Sequence, residues 1–125
     1  MVLGIGTDII EIGRIKRSIE NYGENFLKKI YTPAEIEYCQ TKVNKYQHYA
    51  ARFAAKEAVY KALASGWQRS ISWQDLEIFN ESNGMPNVKI FGKLKKFLSS
   101  DKSLKISMSH SENYVTCVAI VYKHS

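Results

Sequence analysis

The chain has 125 residues, 45% of them hydrophobic, and its 18 Lys and Arg against 12 Asp and Glu give a formal net charge of +6. That length suits a single domain over residues 1–125 that buries about two-thirds of its unfolded surface, which removes any need for disulfide staples. The positive balance calls for an anionic partner (nucleic acid, nucleotide or acidic protein), while the lack of a signal-like start or any apolar run near about 18 residues gives the expectation of a soluble cytoplasmic protein.

Val2 to Ile10 alternates as a strand, with Leu3, Ile5, Thr7 and Ile9 on one side and Gly4, Gly6, Asp8 and Ile10 on the other. Glycine inside a strand makes sense where another backbone or a ligand comes close, so Asp8 shares its side with a crowded junction. Aspartate also suits a helix cap, and both readings of Asp8 stay open at this point. From Glu11 to Tyr22, Ile12, Ile15, Ile19 and Tyr22 form one helical stripe while Arg14, Lys16 and Arg17 point elsewhere, and Gly23 stops the helix. An apolar patch at Phe26, Leu27, Ile30 and Tyr31 follows. Thr32-Pro33-Ala34-Glu35 then spells a capping box, opening a helix expected to carry Ile36, Cys39 and Val43.

Ala50 to Gly66 is the central element, a helix whose apolar residues point in nearly every direction and leave no clean solvent face. Glu57 and Lys61 stand four apart on it. They form either an ordinary helix-surface pair, worth about 0.2–0.5 kcal/mol, or a shielded carboxylate that needs a cation. Cys39 and Cys117 have no CxxC spacing and read as reduced packing residues.

The second half changes period. Leu76 to Phe79 and Val88 to Phe91 read as strands joined through Asn83-Gly84 and Pro86; Gly92 to Leu98 is a short helix bearing Lys93, Lys95 and Lys96. Leu104 to Met108 alternates, His110 stands at the end of that strand as a turn residue or a contact, and Tyr114 to Tyr122, apolar on both sides, reads as an inner strand. The layout is an α+β domain with mainly antiparallel strands.

Three stretches, Gly4-Ile-Gly-Thr-Asp-Ile-Ile-Glu-Ile12, Phe53-Ala-Ala-Lys-Glu-Ala-Val-Tyr-Lys-Ala-Leu63 and Ile106-Ser-Met-Ser-His-Ser111, together resemble the small 4'-phosphopantetheinyl transferases of the holo-(acyl-carrier-protein) synthase type. Gly84-Met85-Pro86 matches a Gly-x-Pro of that family, whereas Ala64-Ser65-Gly66 departs from its usual Gly-Thr-Gly. The resemblance implies transfer of phosphopantetheine from coenzyme A to a serine of apo acyl carrier protein, in support of fatty acid biosynthesis, with release of adenosine 3',5'-bisphosphate. It implies Asp8 and Glu57 as ligands of Mg2+, Lys61 and Glu57 as catalytic groups, and Lys61, Ser109, His110 and Arg52 as coenzyme A contacts. Lys56, Lys42 and Lys45 are weaker candidates for phosphate. Arg14, Arg17 and Lys28 are implied as the surface for the carrier's acidic helix. The family's trimers, with active sites at subunit interfaces, imply a homotrimer in which the glycine-bearing strand face and Asp8 lie opposite a neighbour, and no nucleic-acid or membrane partner.

Two rival readings use the same residues differently. A basic nucleic-acid-binding module would employ the scattered lysines and tyrosines but leaves Asp8 and Glu57 idle, because carboxylates repel phosphate. A non-catalytic interaction domain would make the Glu57 and Lys61 pair purely structural.

Overall fold

The computed structural model describes residues 1–63 and 72–124. The expected end of the central helix at Gly66 and the Ala64-Ser65-Gly66 departure lie outside the described residues. The chain begins with strand β1 (Val2–Glu11), followed by helices α1 (Ile12–Tyr22), α2 (Glu24–Ile30), α3 (Pro33–Gln40) and α4 (Lys45–Leu63). After a 3-10 turn at Trp73–Asp75 come strands β2 (Leu76–Asn80) and β3 (Pro86–Ile90), a 3-10 helix at Gly92–Phe97, and strands β4 (Lys102–His110) and β5 (Tyr114–Lys123).

The mixed α and antiparallel β architecture agrees with the sequence pattern. β1, β5 and β4 form a three-stranded antiparallel sheet in that order, and β2 pairs with β3 in a separate antiparallel hairpin. β5 is the inner strand, as its two apolar sides require. Its Val115, Cys117, Ala119 and Val121 are buried on the side that meets α4. The opposite sheet face stays uncovered by the described residues: Leu3, Ile5 and Ile9 are 45%, 61% and 62% exposed.

Helix boundaries follow local chemistry in most places. α1 stops where Gly23 takes φ 54° and donates its N–H to the Ile19 carbonyl at 2.7 Å, a left-handed conformation that glycine adopts without steric penalty. α3 opens on the expected capping box. The Thr32 hydroxyl accepts from the Glu35 N–H at 3.3 Å, and the Glu35 carboxylate accepts from the Thr32 N–H at 2.8 Å. Two details differ from the pattern. The patch Phe26 to Ile30 lies within a seven-residue helix, α2, too short for its period to register. α3 ends at Gln40, so Val43 falls in the following turn and is fully exposed instead of packing.

α4 has buried residues all round, from Tyr49 and Ala50 through Ala58 and Val59 to Leu63. It starts at Lys45, earlier than Ala50, because Lys45 to His48 continue the helical backbone through polar residues that apolar periodicity does not mark. Lys56, a weak phosphate candidate by sequence, is corrected here: its side chain is completely buried and forms an ion pair with Glu35 at 2.7 Å, also completely buried. The Lys56 ammonium donates further to the carbonyls of Ile30 (2.7 Å) and Trp73 (3.1 Å), and the second Glu35 oxygen accepts from the Ile78 N–H (2.7 Å). Burial pulls the Lys56 pKa down, and the carboxylate of Glu35 opposes that pull.

Removing one partner of such a pair strands the other charge in the interior. Lys56→Met should destabilise the fold by about 3–5 kcal/mol in urea unfolding, whereas Glu35→Gln combined with Lys56→Met should recover much of that loss. Equal instability of the single and double variants would show that the pair's charge is not what matters.

Candidate functional site

The site begins with a close approach between two backbones. A Cβ added at Gly4 would lie 1.9 Å from the Ala62 carbonyl oxygen, and one added at Gly6 would lie 2.0 Å from that of Ala58. Only glycine on β1 allows this contact with the α4 backbone. The glycine-bearing face therefore packs on the chain's own helix, not against a neighbour, and the bare sheet face is the opposite one carrying Ile5 and Ile9.

Asp8, two residues beyond Gly6 on the same face, is held in mid-strand opposite Cys117. The capping reading of Asp8 does not hold, since α1 starts behind Glu11 with no side-chain cap. Asp8 comes near Glu57 of α4. Burial, and next the negative charge of Asp8, raise the Glu57 pKa, while Lys61 and Arg14 oppose the rise. Lys61 departs from simple helical spacing: its ammonium turns from Glu57 to β1, donating to the Thr7 carbonyl at 3.0 Å and to Asp8 Oδ1 at 3.3 Å. The Asp8 side chain is only 16% exposed against 53% for Lys61, so the anion is fixed and the cation reaches in from solvent.

Among the described residues no group of three or more His, Cys, Asp or Glu side chains gathers as a metal cage. Two carboxylates close enough to repel are nevertheless a donor set suited to magnesium, which takes one or two protein carboxylates and fills its octahedron with phosphate oxygens and water. Cys117 beside them is an inert neighbour, its thiol pushed up to about 12 first by burial and then by Asp8. Cys39 is likewise buried, free and pushed up to about 12.

Two cavities meet at Ser109. One, of about 480 Å³, is lined by Asp8, Lys61, Cys117, Ser107 and Ser109 among others. The second, of about 340 Å³, brings together Arg52, Ser109 and His110 with Tyr38, His48 and the hairpin residues Gly84 and Pro86. Arg52 is 3% exposed; it donates to Asn80 Oδ1 at 3.1 Å and stacks its guanidinium 4.1 Å from the Tyr38 ring centre. His110 is the last residue of β4 and reaches the cavity as part of the strand, not as a turn residue. Tyr38 and His48 are cavity residues that the sequence reading missed. The available signal was spacing, since His48 and Arg52 are one helical turn apart on α4.

The basic residues outside the cavities are arranged unequally. Arg14 is exposed on α1, near enough to oppose the rise at Glu57. Arg17 and Lys28 each pair with an exposed carboxylate, Glu11 at 3.3 Å and Glu24 at 3.2 Å, contacts of little energetic weight. Lys42 lies over the Tyr38 ring at 4.6 Å and Lys45 over Tyr46 at 5.3 Å.

A carboxyl group held above its unfolded pKa stabilises the fold while protonated; the contribution is complete below the unfolded value and disappears as pH rises through the folded one. Glu57→Gln should therefore leave a protein more resistant to urea than the parent at about pH 7, with the gap closing toward about pH 4. A gap that stays constant with pH would remove the strained carboxylate from the account.

A family profile described as the 4'-phosphopantetheinyl transferase superfamily matches residues 4–119. The holo-[acyl-carrier-protein] synthase of Protochlamydia amoebophila is 48% identical over 120 residues, covering 96% of this chain and 98% of that protein. Among solved structures, the holo-[acyl-carrier-protein] synthase of Neisseria meningitidis superposes with a TM-score of 0.87 at 31% identity, over 98% of this chain and all of that one (100%). The Helicobacter pylori holo-[acyl-carrier-protein] synthase in complex with coenzyme A gives 0.81 at 31% identity, over 94% and 99% of the two chains. With the whole length matched and the motifs of β1, α4 and β4 in register with the fold, the chain belongs to the holo-[acyl-carrier-protein] synthase family of the 4'-phosphopantetheinyl transferase superfamily.

Proposed function

We propose that this protein transfers the 4'-phosphopantetheine group of coenzyme A to a serine of apo acyl carrier protein, releasing adenosine 3',5'-bisphosphate, in support of fatty acid biosynthesis. The observation that carries this reading is the nearness of Asp8 on β1 to Glu57 on α4, two carboxylates close enough to repel, with Asp8 and its partner Lys61 lining a cavity. The names and the coenzyme-bound relative support the same reaction.

In the reaction the serine oxygen forms a bond to the phosphorus bearing the pantetheine arm, the bond from that phosphorus to the bridging oxygen breaks, and the bisphosphate departs. Asp8 and Glu57 would hold Mg2+, which when bound supplies charge neutralisation at the pyrophosphate. Lys61 has one ammonium with alternative acceptors: released from Asp8, it stabilises charge developing on the leaving phosphate. Glu57, held above the usual carboxylate range, is this chain's candidate acceptor for the serine proton. Arg52, Ser109 and His110 line the second cavity and take the nucleotide end, so the pyrophosphate spans the Ser109 junction. Arg14, exposed next to the carboxylates, with Arg17 and Lys28 farther along the surface, receives the acidic carrier helix.

The exposed sheet face supports a homotrimer. Ile9, Thr116 and Val118 belong to that face and also line the Asp8 cavity, so further copies of this chain seated there would wall the site. No helix among the described residues is long and apolar enough to cross a membrane.

Intact-mass analysis of apo acyl carrier protein incubated with the enzyme and coenzyme A should reveal addition of one phosphopantetheinyl group only when magnesium is present. Asp8→Asn and Glu57→Gln should each cut turnover by about a hundredfold or more with the fold retained; full activity in either variant would remove the carboxylate pair from the mechanism. In sedimentation equilibrium the parent should run as a trimer and Ile5→Lys as a monomer, and a parent that stays monomeric at micromolar concentration would refute the assembly.

A further inference from the structure

The cavity that holds Arg52 gathers positive and protonatable groups without a carboxylate among the described residues of its lining. Tyr38, His48, Arg52, Asn80, Ser109 and His110 surround it. Arg52 is buried and has no carboxylate partner among the described residues, its one side-chain acceptor being Asn80. Tyr38 organises the cluster: its ring carries Arg52 at 4.1 Å and Lys42 at 4.6 Å, and meets the His48 ring edge-on at 5.6 Å. The groups facing His48 are thus Arg52 from its own helix, Lys42 from the turn before it, His110 from β4 and the neutral Tyr38 from α3.

We propose that His48 takes up a proton when a phosphate ester of the coenzyme's nucleotide end enters the cavity, so that His48 sets coenzyme affinity in its charged form. This rests on the transferase reading given above. A phosphate carrying two charges reverses the local electrostatics, because every cation that repels an imidazolium in the free cavity then becomes a shared partner of the anion. In the free protein, burial first and then Arg52, Lys42 and His110 hold the His48 pKa below its ordinary value, which keeps the ring neutral and ready to gain a proton. Affinity is then highest at low pH and falls as pH rises through the pKa of the bound state. The entering ester is either the 3'-phosphate or the pyrophosphate of coenzyme A.

Calorimetric titration of the protein with coenzyme A, in buffers of different ionisation heat at about pH 7, counts the protons exchanged. His48→Phe keeps an aromatic edge against Tyr38 without a titrating nitrogen, and His48→Gln serves if the larger ring disturbs packing. The parent should take up more of a proton than the variant, and its Kd should rise about threefold to tenfold more steeply between about pH 6.5 and pH 8. Ionisation of the phosphate itself is common to both proteins and cancels in the comparison. Dephospho-coenzyme A, which lacks the 3'-phosphate, locates the ester: a lost difference assigns the 3'-phosphate, a retained one the pyrophosphate. Equal proton uptake and parallel pH dependence in parent and variant, with coenzyme A bound by both, would overturn the role of His48 alone. Failure of the parent to bind coenzyme A would overturn the transferase reading with it.

Discussion

The contact between β1 and α4 is the constraint from which the site follows. Two residues of strand advance about 6.8 Å and four residues of helix about 6.0 Å, so Gly4 over Ala62 and Gly6 over Ala58 keep nearly equal step as the two elements run in opposite directions. The next residue in that series is Asp8. It arrives one helical turn before Ala58, beside the face that carries Glu57 and Lys61. A side chain at either glycine would drive its Cβ into a backbone carbonyl, and the carboxylates would separate.

The far side of α4 is fixed by a different kind of force. Glu35 and Lys56 join the end of α2, the start of α3, the 3-10 turn and β2 to the helix through an ion pair with three donors on one side and two backbone donors on the other. Each charge is satisfied, which is why both tolerate complete burial. Lys56 directly precedes Glu57 in sequence, so the pin that sets the rotation of α4 also sets the direction from which Glu57 meets Asp8. The ion pair at Lys56 and the carboxylate of Glu57 thus leave one helix about 100° apart, the first toward α3 and the second toward β1.

Local chemistry made much of this readable. Thr32 to Glu35 announced a helix start because capping needs particular side chains at fixed offsets, and Gly4 with Gly6 announced a close approach because no other residue permits one. The mixed layout and the inner position of β5 followed from periodicity. What sequence could not supply was tertiary choice. Helical spacing sets Lys61 near Glu57, yet the ammonium prefers Asp8 and a carbonyl from another element. Lys56 read as a weak phosphate candidate because its partner Glu35 already had a local role in the capping box. Val43 looked like packing because apolar pattern alone does not say where a short helix ends. The candidate residues Asp8, Glu57, Lys61, Arg52, Ser109 and His110 came from the motif resemblance, whereas Tyr38 and His48 emerged only when α3, α4 and β4 were seen to share one cavity.

The lysine resting on Asp8 has a consequence for the order in which ligands arrive. An ammonium already neutralises that carboxylate, so a bare divalent ion must displace it toward solvent, where water but no anion replaces the lost contact. An ion that comes with a pyrophosphate brings the displaced lysine a new anionic partner in the same event. On the transferase reading, metal and coenzyme would therefore load as a unit, with Lys61 a placeholder on Asp8 that discourages the ion alone and yields to the pair.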